Sequence, residues 1–505
     1  MGRRRGERFS LVVTQAPLSL PESHFDCSGR ISALPRAIRL HRMITAFRTS
    51  LRRLGFGLLL AVLPTLVPRA SGAEGRSAHP PILFVHGNGD TAALWMTTIW
   101  RFESNGWPRE RLRAIDLPLP LARDDDSMAQ PGRSSAADVA REIAAEVERI
   151  RQQLGVERVV LVGNSRGGLA IRNYIQNFGG APHVSHAILG GVPNHGVWAN
   201  PALRPGNEFN GAGPFLTALN APKEPQGREV TSGVAWLTLR SDRNDKFAQP
   251  DGIWMGAGGM PTGVTFDGPA LLGATNVSLI DRDHREVSYH PDAFVESFRF
   301  LTGRAPATTG ISPETSIILN GNVTGYGEGG QTNLPVPGAA VEIYAVDPES
   351  GARLGGPRHA VTVDDTGRWG PLTAEGNTHY EFVVTAPGHA ITHVYRTPFP
   401  RSSSVVHLRA ERPLAAENRP ASVVIMSRPR GYFGLPRDRV VLDGRDPAPG
   451  IPPGVAGVST TRVDLAGGVG RPVVGEFTSG HLRERLVGIA HAAAENRVVI
   501  LELQP

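Results

Sequence analysis

Gly163-Asn164-Ser165-Arg166-Gly167 is the stretch of this chain best suited to chemistry. It fits G-x-S-x-G and lies between a strand-like run, ERVVLVGN (157–164), and a helix-like run, GGLAIRNYIQNF (167–178). A serine at a tight strand-to-helix turn projects its hydroxyl above the sheet edge. Glycines two residues to either side remove the Cβ atoms that would collide in so sharp a turn. The helix that follows aims its first amides at developing negative charge. This is the arrangement expected of a nucleophile that attacks an acyl carbon.

A serine hydroxyl attacks poorly unless a base takes its proton. Among downstream histidines, His284 in LIDRDHREVSYHP is the expected base. It follows the last strand-like run, TNVSLID (275–281), and precedes a closing helix-like run, PDAFVESFRFLTG (291–303). His290 is its nearest rival, with helix capping before Pro291 as the alternative role. His195 comes too early in the chain and is expected to be structural. An acid must orient the imidazole and stabilise its charged form. It should follow VAWLTLRS (234–241), where both Asp242 and Asp245 stand. The oxyanion needs two backbone donors. These are expected from Arg166, just after the serine, and from Asn88 in the loop HGNGD (86–90). His86 in that loop is expected to fix it by hydrogen bonding. Asp124-Asp125-Asp126 reads as a solvated charge run, so no metal site is expected. No P-loop, G-x-G-x-x-G after a strand, or HExxH occurs in the sequence.

These residues must be held by a scaffold, and the pattern around them supplies one. From 79 to 304, strand-like and helix-like runs alternate, starting at PILFVHG (81–87). Residues 136–154 place Val139, Ile143, Val147, Ile150 and Leu154 on one helical face, with Ser135 and Asp138 as a plausible cap. Alternation of this kind predicts an α/β fold with a mainly parallel sheet and helices on both faces. From about 311 helical periodicity largely disappears. Short strand-like runs such as AAVEIYAV and HYEFVVTA, separated by Gly, Pro and Asn, predict all-β domains of sandwich or barrel type. The expected divisions are a catalytic domain over 79–304, a β domain over 311–412, and a second β-rich domain over 420–505. AERPLAAENRP (410–420) is the candidate linker.

The formal charge of +6 is the sum of +9 over residues 1–73 and −3 over the rest. The basic balance therefore belongs to the N-terminal segment and does not suggest a nucleic-acid partner. There, Arg48, Arg52 and Arg53 precede an apolar run, GFGLLLAVLPTLV (55–67), and small residues follow at 70–73. That layout predicts a secretory signal cleaved near Ala73, with no stable transmembrane anchor in the mature protein. Met43 sits where such a signal would naturally start, which makes residues 1–42 a candidate over-called extension. Arg52-Arg53 matches a twin-arginine signal only loosely, and the export route stays open. The single cysteine, Cys27, lies upstream of the expected cut, so the mature chain would have no disulfide.

FVHGNGD, VGNSRGG, LGGVPNHGVW with NEFNGAGPFLTALN, and DHREV together resemble secreted α/β-hydrolase lipases and esterases of the bacterial lipase superfamily. The layout is similar to lipases with a minimal hydrolase domain and a β-rich C-terminal domain. PVPGAAVEIYAVD…GRWGPL…YEFVVTAPGH is similar to a carboxypeptidase-regulatory or prealbumin-like β-sandwich. The resemblance implies the chain order serine, acid, histidine. Fold members place the acid several residues past the strand before a Pro-bearing turn, which favours Asp245, with Asp242 as the alternative. It implies ester hydrolysis by Ser165, Asp245 and His284, with Asn88 and Arg166 as oxyanion donors and no cofactor. The expected substrate is an acyl glycerol, at a lipid–water interface. A polyester depolymerase and an inactive secreted binding protein are the alternatives. Asn164 departs from the family, where many lipases have His. Residues 194–233, with Phe209, Phe215, Leu216 and Leu219, occupy the place of a cap: either a mobile lid or a packed substrate wall.

Overall fold

The computed structural model describes residues 79–504, apart from Ala257, Ala416 and Asn418. The expected export signal, its cleavage region and Cys27 lie outside the described residues. The N-terminal α/β portion runs β1 (Ile82–Val85), α1 (Met96–Ser104), β2 (Leu112–Ile115), α2 (Ala136–Leu154), β3 (Val159–Asn164), α3 (Arg166–Asn177), β4 (Val184–Gly190), α4 (Pro214–Asn220), β5 (Ala235–Ser241), β6 (Thr275–Leu279), α5 (Glu286–Tyr289) and α6 (Pro291–Thr302). Its six strands form one sheet in the order β2-β1-β3-β4-β5-β6, and every pairing is parallel.

The reason is visible in β1 and β3, which are apolar on both faces and buried throughout. Leu83, Val85 and Leu161 turn to one side and pack with Val139, Ile143, Val147 and Ile150 of α2 and with Ile171 of α3. Ile82, Phe84, Val160 and Val162 turn to the other side, toward Trp95, Phe102, Phe294 and Phe298. Period-2 alternation thus feeds two separate cores. The α2 helix begins at a capping box in which Ser135 and Asp138 satisfy each other's backbone amides, and it ends at Gly155 in the left-handed region. The β2 strand ends at Ile115, ahead of Pro118 and Pro120, which have no amide to donate to a ladder.

The C-terminal region is strand-rich and built from several sheets. The largest has seven strands. It runs across the 410–420 segment expected to be a linker. Ile391–Arg396 pairs in parallel with Arg497–Glu502, which pairs in parallel with Ser422–Ser427. Strands from both expected β domains therefore share one ladder. The N-terminal α/β portion is continuous with this region: Ala92, Met96 and Trp100 join Ile317, Val341, Phe382 and Phe399 in a single core, and Trp100 Nε1 donates to the Ser402 carbonyl at 2.8 Å.

Candidate active site

Ser165 occupies the bend between β3 and α3 with φ 50° and ψ −123°. A non-glycine residue at positive φ is strained. The crowding around it explains why the flanking positions are glycine. A Cβ on Gly167 would stand 2.5 Å from the carbonyl oxygens of Val85 and His86, and one on Gly163 would stand 2.7 Å from Ile171 Cδ1. The amide of Arg166 is the first of α3 and has no intrahelical acceptor. Its side chain folds away from the bend into a buried ion pair with Glu208, and donates to Ser134 O at 2.6 Å and Pro120 O at 3.1 Å.

His284 follows β6 and is buried. Its Nδ1 donates to Asp245 Oδ2 at 2.8 Å. The carboxylate partner fixes the tautomer, leaving Nε2 as the lone-pair nitrogen. Nε2 is buried and has no hydrogen-bond partner among the described residues. Phe247 meets the imidazole edge-to-face at 4.6 Å. Asp245 is fixed in turn, since its Oδ1 accepts from Phe247 N at 2.8 Å. Asp242 stands elsewhere: its Oδ1 accepts from Asp281 N and Arg243 N at 2.9 and 2.8 Å, so it ties two loops together and does not reach the imidazole.

Ser165, His284 and Asn88 line one cavity of about 290 Å³. Its other walls are mixed: Val197, Trp198, Phe209, Phe247, Trp254 and Met255 are apolar, while Asp90, Asp124, Arg133, Arg204 and Asn207 are polar or charged. Asn88 is exposed there, and its Oδ1 accepts from Ala122 N at 2.8 Å, which holds the loop after β1. A second cavity of about 350 Å³, lined by Val192, Leu239, Val264 and Leu271, reaches the other side of His284 and Asp245.

The remaining histidines have separate duties. His86 Nε2 accepts from Leu117 N at 3.1 Å and its Nδ1 meets Gly87 O at 2.9 Å, bracing the loop of Asn88. His195 pairs with Glu229 at 3.0 Å. His290 Nδ1 accepts from Asp292 N at the start of α6, the capping geometry. The aspartates at 124–126 turn onto local partners such as Gln130, Ser127 and the amide of Ala136.

Part of the segment 194–233 packs on α3. Leu216 and Leu219 of α4 are buried against Leu169 of α3, with Phe209 and Phe215 around them. Asn207 Nδ2 donates to Arg123 O at 3.0 Å, and Asn210 Nδ2 to Asn200 O at 2.9 Å.

Two contributors were not legible in the sequence. Asn164, singled out there only as a departure from the family, donates through Nδ2 to Ser288 Oγ, Gly190 O and His284 O. Tyr432, from the C-terminal region, lines the Ser165 cavity. Lys246 Nζ lies 3.9 Å from the Tyr432 ring, and burial pushes its ammonium down to about 8.

One group among the described residues brings metal-ligating side chains together: Glu381, His393 and His491. None of them lines the Ser165 cavity. The two imidazoles stack at 3.6 Å and 17°, so they cannot both point an in-plane lone pair at one ion. Glu381 accepts from His393 Nδ1 at 2.7 Å and from Arg353 at 2.6 Å. Burial opposes its charge, but these partners outweigh burial and hold the carboxyl well below its usual range. The group is an ion-paired stack.

Two family models match parts of this chain. Residues 80–254 match the family model of the alpha/beta hydrolase fold, and residues 315–413 match that of the lipase C-terminal domain. Solved structures similar to this chain include the mature form of Bacillus licheniformis lipase BlEst2, at 21% identity and TM-score 0.32, covering 45% of this chain and 93% of that one. Aspergillus fumigatus lipase B is 18% identical with TM-score 0.31, covering 48% of this chain and 56% of that one. Phospholipase PlaB from Legionella pneumophila is 12% identical with TM-score 0.31, covering 68% and 97%.

Proposed function

We propose, from the premise that this chain is an α/β-hydrolase of the lipase and esterase group with a lipase C-terminal domain, that it cleaves carboxylic esters through a serine acyl-enzyme. The observation that carries the reading is the Asp245–His284 hydrogen bond beside a cavity shared with Ser165. His284 Nε2 takes the Ser165 proton as Oγ attacks the ester carbonyl. The amides of Asn88 and Arg166 receive the oxyanion, each worth about 3 kcal/mol of transition-state stabilisation. The alcohol departs with the proton from His284. Water then enters by the reverse path and releases the acid. Every proton and electron pair in this cycle is handled by side chains and amides of the chain itself, with no cofactor.

Acyl glycerols are the proposed substrate class: the aromatic and aliphatic part of the cavity wall suits an acyl chain, and the polar part, with Asp90, Asp124, Arg133 and Arg204, suits a glycerol moiety. Secretion is proposed from the charged, apolar, then small layout ending near Ala73. Among the described residues no helix is long and apolar enough to cross a membrane.

The test is covalent labelling with a fluorophosphonate followed by peptide mapping, alongside turnover of a soluble short-chain ester, an emulsified triglyceride and a polyester film. Label on Ser165 with turnover of the first two supports the reading. Film turnover alone transfers the site to polyester cleavage. Absence of label and turnover together would end the proposal. The packing of Leu216 and Leu219 on α3 supports reading 194–233 as a substrate wall, so the rate is expected to rise smoothly through the substrate's solubility limit; a jump there would favour a lid.

A further inference from the structure

The two residues that bracket the His284 loop are both buried acids. Asp283 is 0% and Glu286 2% exposed. Asp283 Oδ1 accepts from the amides of Arg285 and Glu286 at 2.8 and 2.9 Å, and its own amide donates to Glu286 Oε2 at 2.8 Å. This closes the turn locally. It leaves the other Asp283 oxygen and Glu286 Oε1 facing the C-terminal region, and both are met there.

Arg428 lies just past the strand Ser422–Ser427 and is fully buried. Its Nη1 donates to Asp283 Oδ2 at 3.1 Å and its Nη2 to Glu286 Oε1 at 2.6 Å. The amide of Tyr432 donates to the same Asp283 oxygen at 2.8 Å. Arg437 Nη1 reaches Glu286 Oε2 at 2.8 Å. Arg428 is itself held, by donation to Tyr432 O at 2.7 Å and by the Phe477 ring at 4.7 Å. Burial alone would push the Glu286 carboxyl up, but Arg428 and Arg437 outweigh it and hold the group down to about 2. Two buried carboxylates this close are tolerable only with such cations between them.

We propose that Arg428 is a positioning residue for the hydrolytic site: by clamping Asp283 and Glu286 from the C-terminal region, it fixes the loop that presents His284 to Ser165. This rests on the reading of His284 as the base. The C-terminal region is thereby part of the catalytic apparatus, acting through the loop and never touching substrate through Arg428. Removing the guanidinium takes away the fully buried cation that both acids share and leaves them only one other, the partly exposed Arg437, 2.8 Å from Glu286 Oε2 and 3.7 Å from Asp283 Oδ2, so the turn relaxes around them. A displacement of about 1 Å at a catalytic group costs on the order of 100-fold in rate.

The test uses the full chain with Arg428→Lys, Arg428→Met and Arg437→Gln, each titrated with a fluorophosphonate to count competent sites. Turnover of a soluble short-chain ester is then expressed per titrated site. Arg428→Met is expected to lose on the order of 100-fold in kcat per titrated site with KM within about two-fold. The inactivation rate constant should fall in parallel. Arg428→Lys should recover part of the loss, and Arg437→Gln should lose several-fold. If instead the variants show fewer titratable sites with unchanged turnover at each, Arg428 only holds the fold together and the proposal is overturned. Should both Arg428 variants fail to fold, Arg437→Gln decides, since its side chain is 13% exposed: unchanged kcat per site overturns the clamp. A wild-type chain that takes no label at Ser165 sinks the esterase reading instead, and that result is seen before any variant is made.

Discussion

Asn164 Nδ2 donates to the backbone carbonyl of His284 at 3.1 Å, so the residue before the candidate nucleophile holds the residue that carries the candidate base. The same amide group reaches Ser288 Oγ at 2.7 Å and Gly190 O at 3.1 Å. β3, β4 and the α5 turn are thus joined through one side chain. Asn164→Ala removes the side-chain donor to His284 O and Ser288 Oγ, while Gly190 O keeps the Ser165 amide at 3.0 Å, at a cost of about 1–3 kcal/mol. The urea midpoint should fall accordingly, and kcat should fall with it because the imidazole loses a tether. Unchanged values of both would show that the tether is dispensable.

The acid assignment separates two neighbouring aspartates. Asp245→Asn keeps the shape of the group but offers an amide where the His284 Nδ1 proton needs an acceptor. The expected loss in kcat is about four orders of magnitude. Asp242→Asn should stay within a few-fold of wild type, because Asp242 faces the amides of Arg243 and Asp281. Steady-state rates on a soluble ester decide, and a reversal of the two effects would move the acid to Asp242.

Arg166 and Glu208 form an ion pair in which both side chains are 2% exposed. Removing one partner of such a pair is costly, because the other charge stays buried. Glu208→Gln is therefore expected to destabilise the chain by about 3–5 kcal/mol, read from equilibrium urea unfolding. The Arg166 amide is backbone, so ester turnover by the fraction that remains folded should be largely preserved.

His290 makes stability sensitive to acid. Burial, followed by the nearby Arg282, pushes its imidazole from 6.5 down to about 4. Between those values the unfolded chain binds a proton that the native chain refuses. Stability is therefore full above about pH 6.5 and is lost as pH falls toward about 4, by at most about 3 kcal/mol. His290→Asn keeps a capping acceptor for the Asp292 amide and removes the titration. Urea unfolding at several pH values should show a flatter acid limb in the variant, and parallel limbs would exclude His290 as the source.

Much of the local architecture was readable in order along the chain. The spacing of Val139, Ile143, Val147 and Ile150 marked α2, and Ser135 with Asp138 marked its start. The glycines around Ser165 announced the bend, and Gly303 the end of α6. Such features depend on residues a few positions apart, whose sterics and periodicity act within one turn or strand. The residues alone narrowed the partner of His284 to two aspartates, and the family resemblance favoured Asp245; both stand after β5, and only loop packing turns Asp245 inward.

What lay beyond the sequence is contact between distant segments. Arg428 in MSRPRGY looks like any charged turn residue; only the packing of strands shows it enclosed against Asp283 and Glu286. The pairing of Ile391–Arg396 with Arg497–Glu502 is equally silent, because alternating apolar residues specify a strand and its buried face but not its neighbour. The sequence alone determined which elements form and which residues are chemically able. Tertiary structure decided which of them meet, because burial and charge pairing are settled only when surfaces far apart in the chain exclude water together.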